Sequence, residues 1–145
     1  MDFQTAMRIS SSGLSASRTW ISVTSANLAN AYTTRTASGE PYRRRVVIYE
    51  SEPVSEEFPG ALEAAQEGEI DAVKVVDIVP DNRDFIVIYD PDHPDADKDG
   101  MVKMPNINTA EEMANLISAS RAYEANLAAL SVAKHLALKA LDIGK

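Results

Sequence analysis

Asp95, Asp97 and Asp99 stand at alternate positions ahead of Gly100. Calcium loops open with this spacing, because carboxylates two residues apart in a tight turn converge on one point. The second half of such a loop is missing. Its twelfth position is Asn106, where a bidentate glutamate is required, and Pro105 precedes it. The aspartates and Gly100 are therefore expected to shape a turn, with Pro91 and Pro94 stiffening its approach. A calcium-dependent binding module is the main alternative to the reading reached below.

Two other groups could carry chemistry. His93 lies in the same proline-rich loop and His135 in the C-terminal segment, neither with a nucleophile or a ligand set around it, so structural roles are expected. Arg43-Arg44-Arg45 could grip phosphate, but the run enters a strand of an acidic chain, and a solvated or intersubunit charge patch is expected instead. There is no glycine-rich phosphate loop and no GxSxG. No catalytic, cofactor-binding or metal-ligating residue is assigned, and an enzyme is the last of the readings. The 145 residues hold no cysteine, which excludes disulfides and thiolate metal sites. A net charge of -8 argues against a nucleic-acid binder.

The charge is segregated. Residues 1–49 carry six basic and two acidic side chains, residues 50–112 four and eighteen, and residues 113–145 four and two. Mildly basic ends thus flank an acidic middle, which suggests segments that touch different things. In the middle, Tyr42 to Tyr49 is β-rich after the Gly39-Glu40-Pro41 turn. Ala72–Val79 and Phe85–Tyr89 flank Pro80-Asp81-Asn82-Arg83, whose turn chemistry suggests a hairpin. Residues 50–71 hold eight acids and are expected to form a solvated loop, with a short helix near Leu62. About three short strands make a small β-domain.

Both ends read as long helices. From Phe3 to about Asn30 no proline intervenes, and Met7, Leu14, Ile21 and Leu28, seven apart, make one apolar stripe. Ile9, Ala16, Trp20 and Val23 fall roughly opposite, giving two apolar faces where a surface helix needs one. Ser10, Ser11, Ser12, Gly13, Ser15, Ser17 and Thr19 are weak helix formers that make the segment dependent on packing, and small residues let helices approach closely. The C-terminal helix runs from Ala110 to about Ile143, with Thr109 and Glu112 spaced as a capping box. Met113, Leu116, Ile117, Tyr123, Leu127, Leu130, Leu138 and Leu141 form its main apolar face; Ala125, Ala129, Val132, Leu136 and Ile143 form a second. Thirty-odd residues span roughly 50 Å, whereas a compact chain of this size has a radius of gyration of about 15 Å. The natural partner is the N-terminal helix, and the remaining apolar faces call for other subunits. The expected fold is α+β: long terminal helices paired as an α-helical coiled coil over residues 1–32 and 109–145, with a small β-rich domain at 33–108. No apolar run approaches the roughly 20 residues of a membrane span, and residues 1–8 do not read as a secretory leader.

Several segments together resemble the rod proteins of the bacterial flagellar basal body, within the flagellar axial family. Ser25-Ala26-Asn27-Leu28-Ala29-Asn30 is similar to the asparagine motif shared by that family. Thr33-Thr34-Arg35-Thr36 with Pro41-Tyr42-Arg43-Arg44, His93-Pro94-Asp95-Ala96-Asp97, Pro105-Asn106, Glu112-Met113 and Ala119-Ser120-Arg121-Ala122-Tyr123-Glu124-Ala125-Asn126 resemble the proximal rod in particular.

The resemblance implies a subunit of the hollow drive shaft that crosses the periplasm, exported by the flagellar type III apparatus without a cleaved signal peptide. Its implied partners are other proximal and distal rod proteins, the rod–MS-ring adaptor, the export apparatus and copies of itself, with no nucleic acid and no membrane insertion. The assembly interface expected on this basis comprises Met7, Leu14, Trp20, Ile21, Leu28, Met113, Ile117, Tyr123, Leu127 and Leu130. Asn27, Asn30, Arg121 and Asn126 would fix register when desolvated. A longer axial protein of the distal rod or hook is the second alternative.

Overall fold

The computed structural model describes residues 3–54 and 71–143. In chain order its elements are α1 (Phe3–Ala29), β1 (Arg45–Pro53), β2 (Asp71–Pro80), β3 (Ile86–Tyr89), β4 (Met101–Met104) and α2 (Thr109–Ile143). The fold is α+β, with helices at both ends and two small sheets between them. The chain divides into two compact units, one drawn from residues 1–19, 49–76 and 119–145, the other from 20–48 and 77–118.

Both helices run where the absence of proline lets them. The end of α1 is closed by its own side chain: Asn30 Nδ2 donates to the Ala26 carbonyl at 2.9 Å, and the Asn30 amide reaches the carbonyls of Ala26 and Asn27. This answers acceptors that a helix C-terminus leaves open. The start of α2 differs from the expected capping box. Asn108, not Thr109, is the cap: its Oδ1 accepts the N–H of Ala110 at 3.0 Å and of Glu111 at 3.3 Å. The Glu112 carboxylate is drawn elsewhere, so the reciprocal arm of the box does not form. Asn108→Ala is expected to cost about 1 kcal/mol, and Thr109→Ala much less; thermal melts of the two variants compare them.

The strands pair differently from the expected hairpin. β1 pairs with β2 and β3 with β4, each as a separate two-stranded sheet. In the second sheet Ile86 faces Met104, Val87 faces Lys103, Ile88 faces Val102 and Tyr89 faces Met101, antiparallel. Pro80-Asp81-Asn82-Arg83 does turn, with Asp81 Oδ1 accepting the Arg83 N–H at 3.0 Å. The strands it joins nevertheless leave for different partners, because the Asp81 N–H is bound to the Arg44 carbonyl at 2.8 Å. β4 lies outside the three expected strands, and β1 extends to Pro53 into the expected acidic loop. The short helix expected near Leu62 lies outside the described residues.

The aspartate loop is a turn built as expected. Asp97 Oδ1 accepts the N–H groups of Asp99 and Met101, each at 2.9 Å, and the Gly100 N–H returns to the Asp97 carbonyl. Gly100 has φ +76° and a Cβ there would lie 3.0 Å from the Tyr89 ring, so glycine is required twice over. His93 Nδ1 accepts the Asp95 N–H at 3.1 Å. Val102, Pro105 and Ile107 are buried immediately after the loop and, with Val23 and Ala31, form the apolar core of the second unit.

Candidate functional site

The second unit is centred on a buried polar cluster that joins α1, β1 and the start of α2. Asn27, 1% exposed, uses all its hydrogen-bonding capacity. Its Nδ2 donates to the Arg45 carbonyl at 2.8 Å and to Glu112 Oε2 at 2.9 Å; its Oδ1 accepts the Arg45 N–H at 2.9 Å and the Tyr42 hydroxyl at 3.1 Å. Glu112, also 1% exposed, takes Arg44 on its other oxygen, from Nε at 2.9 Å and Nη2 at 2.8 Å. Arg44 Nη1 reaches Asp81 Oδ2 at 3.1 Å. Asn106 completes the set, accepting the Arg44 N–H at 2.8 Å and donating to the carbonyls of Asp81 and Arg83. Every buried side-chain polar atom among the described residues has a partner. That is the condition under which a buried charge pair is tolerated.

This arrangement corrects the reading of the arginine triplet. Arg44 is 11% exposed and is spent inside the chain. Arg43 lies over the Phe85 ring at 4.2 Å and donates to the carbonyls of Asp81 and Arg83. Only Arg45 presents an exposed side chain. Asn27 is likewise withdrawn from any surface role, since its amide is saturated within its own chain.

Electrostatics follow the geometry. Burial alone raises the Asp81 carboxyl, but the Arg83 backbone N–H and guanidinium, with Arg44, outweigh it and hold the group below its ordinary 3.8. Hydrogen bonds to Asp81 and Glu111 raise Arg83. Burial pushes the Tyr42 phenol up, with Arg45 opposing and Glu112 adding to the rise. A depressed folded-state carboxyl contributes stability above its unfolded pKa and loses it as pH falls through the folded value. Wild type is therefore expected to lose stability relative to Asp81→Asn as pH drops below about 4, which urea melts across pH 2.5–6 would measure, the range being set roughly around that value.

In the first unit the side chains buried on the helices are small. Ser10, Ala16, Ser17 and Ala119 are buried, and Ser12 Oγ accepts the Val73 N–H at 3.3 Å. Gly13 lies against Asn126: a Cβ on Gly13 would stand 2.8 Å from the Asn126 amide atoms. Asn126 Nδ2 donates to the Ala122 carbonyl at 2.9 Å.

The residues expected at the interface are therefore distributed unevenly. Met113, Ile117 and Leu127 are 55%, 54% and 49% exposed, and Arg121 is exposed. Met7, Leu14, Trp20, Ile21, Leu28, Asn30, Tyr123, Asn126 and Leu130 are half-buried. Val132, Leu136, Leu138 and Leu141 are also exposed. On both helices the deepest positions are small or polar, and α2 leaves seven large apolar side chains exposed while Leu116, Tyr123 and Leu130 are half-buried. Sequence reasoning named the large residues as the interface with other subunits; it gave no weight to Ser10, Ser17 and Thr24, which stand seven apart on α1 and are all buried.

Two family profiles match the chain at its ends. Residues 7–35 match the family described as flagella basal body rod protein, and residues 98–143 match the flagellar basal body rod FlgEFG protein C-terminal family. These matches cover Asn27, Asn106 and Glu112 and define the class as that of flagellar basal-body rod proteins. Relatives then specify it. The flagellar basal-body rod protein FlgC of Bacillus subtilis is 42% identical over 146 residues, covering 96% of each chain. That of Borreliella burgdorferi is 38% identical over 149 residues, covering 99% of this chain and 98% of its own. That of Escherichia coli O157:H7 is 36% identical over 137 residues, covering 94% of each. The chain belongs to the FlgC family and is a structural rod subunit of the flagellar basal body.

Proposed function

We propose that the chain assembles through its terminal helices into the proximal part of the rod, the hollow shaft that transmits torque across the periplasm. It acts by packing and not by catalysis. Its neighbours would be copies of itself, other proximal and distal rod proteins and the rod–MS-ring adaptor, reached after passage through the flagellar type III export apparatus. The observation that carries this reading is the inverted character of α2. Glu112 and Ala119 are buried, while Met113, Ile117, Leu127, Val132, Leu136, Leu138 and Leu141 are exposed. Large apolar side chains left facing water are the mark of a surface built for association.

Residues 1–32 and 109–145 would form one helical domain, with α1 and α2 as an antiparallel coiled coil, and 33–108 a smaller β-rich one. Within each unit one contact between the helices supports the pairing: Gly13 meets Asn126 in the first and Asn27 meets Glu112 in the second. A seam of serine, glycine, alanine and threonine lets the helices approach closely.

Leu127→Ala provides the test, because a half-exposed leucine contributes little to the isolated chain. The variant is expected to be expressed and folded as wild type by circular dichroism, yet to abolish motility in a strain lacking the native protein. Normal swimming would count against assembly through this face.

A further inference from the structure

Two features remain outside this account: the one arginine of the triplet with an exposed side chain and the rigid aspartate loop. Both belong to the second unit. Arg45 makes no ion pair among the described residues. Its backbone is nonetheless held, since the buried Asn27 amide grips both its N–H and its carbonyl. Arg45 lines an open cleft of about 490 Å³ walled by Pro41, Ile78 and Pro80, with Arg43 beside it and Glu40 the one carboxylate in the lining. A guanidinium with its backbone fixed, at the edge of a cleft whose lining also offers Arg43, Thr36 and Ser38, is placed to receive a carboxylate.

The chain itself offers that carboxylate. Residues 90–99 carry five aspartates and one lysine. The loop's shape is fixed by the Asp97 and Gly100 hydrogen bonds, and Asp95 is held by the Thr34 hydroxyl at 2.7 Å. Asp92 and Asp99 are exposed and in no ion pair among the described residues. We infer that the Arg45 cleft of one copy receives the aspartate loop of a second copy of this chain. The inference rests on the assembly reading above and names one self-contact within it. Chains of net charge -8 repel each other in most orientations, so a contact that sets this arginine against an acidic loop favours one relative placement. Because cleft and loop are different surfaces, the contact is heterologous and extends from copy to copy instead of closing a pair.

The absence of native cysteine makes the test direct. Cells carrying Arg45→Cys and Asp92→Cys on separate copies are treated with a short bis-maleimide, and basal bodies are isolated. Dimers of this chain are expected only when both variants are present. Arg45→Asp is expected to abolish motility while leaving the circular dichroism of the purified chain unchanged, and adding Asp92→Arg with Asp99→Arg to restore swimming. If Arg45→Asp fails to fold, Asp92→Lys with Asp99→Lys reads the same contact from the loop side. The chain present in basal bodies but never cross-linked to itself, or cross-linked at these positions to a different subunit, overturns the inference and leaves the assembly reading standing. Wild-type chain missing from basal bodies overturns both.

Discussion

Glu112→Ala is expected to destabilise the protein by about 3–5 kcal/mol and to lower its melting temperature by roughly 10 °C or more. Two consequences follow from the single change. Arg44, 11% exposed, loses the oxygen that takes both its Nε and its Nη2, and a guanidinium is left buried with Asp81 at 3.1 Å and the half-exposed Glu111 at 4.0 Å as its remaining carboxylates. Asn27 loses the acceptor for one of its two donors, in a site without water access. Glu112→Gln separates the effects: it keeps an acceptor for Asn27 but removes the charge, and an intermediate loss is expected. Urea denaturation of the three proteins at neutral pH gives the ranking. A wild-type-like Glu112→Ala would mean that the cluster is decorative.

Gly13→Leu is expected to be the next most damaging change, destabilising by about 1–3 kcal/mol through overpacking. The direction is not obvious from the sequence, since glycine within a helix costs about 1 kcal/mol against alanine. Space decides it: the first added carbon would already stand 2.8 Å from the Asn126 amide. Gly13→Ala therefore sets a propensity gain against a clash and should change stability little. With Asn126→Ala added, the clash disappears and the propensity gain should show. A double-mutant cycle is expected to return a coupling of about 1 kcal/mol; additive changes would show that the two residues do not press on each other.

Sequence alone went far with the helices and little way into the cluster. Residues 3–29 and 109–143 were legible because an unbroken run without proline, with apolar residues at helical spacing, has few other solutions. The choice of buried face was harder. Leucine and methionine advertise burial by their area, whereas Ser10, Ser17 and Ala119 are buried because they are small enough to permit close approach, and no hydrophobic periodicity reports that. Arg44 was misread because its partners Asp81 and Glu112 lie 37 and 68 positions away. Glu112 itself was consumed by a local pattern, the capping box, that its long-range partner outbid. The Asp81 turn was legible as a turn but not as a branch point, because turn chemistry says how the chain bends and nothing about which strands then pair. The aspartate loop was legible because a turn and its hydrogen bonds are local.

Asn27 also sets a limit on how the protein can age. Spontaneous hydrolysis of its side-chain amide, in which water supplies the new oxygen and ammonia leaves, would produce an aspartate of nearly the same shape, so no steric signal would mark the damage. The nitrogen that donates twice would nonetheless become an oxygen that only accepts, 2.8 Å from the Arg45 carbonyl and 2.9 Å from the Glu112 carboxylate. A new anion would be enclosed beside an existing one at a site 1% open to water. The helix that holds Asn27 is therefore also its preservative, since a backbone fixed in α1 resists the bending over that such a reaction requires. A residue that would tolerate the change poorly thus sits where the helix slows that chemistry.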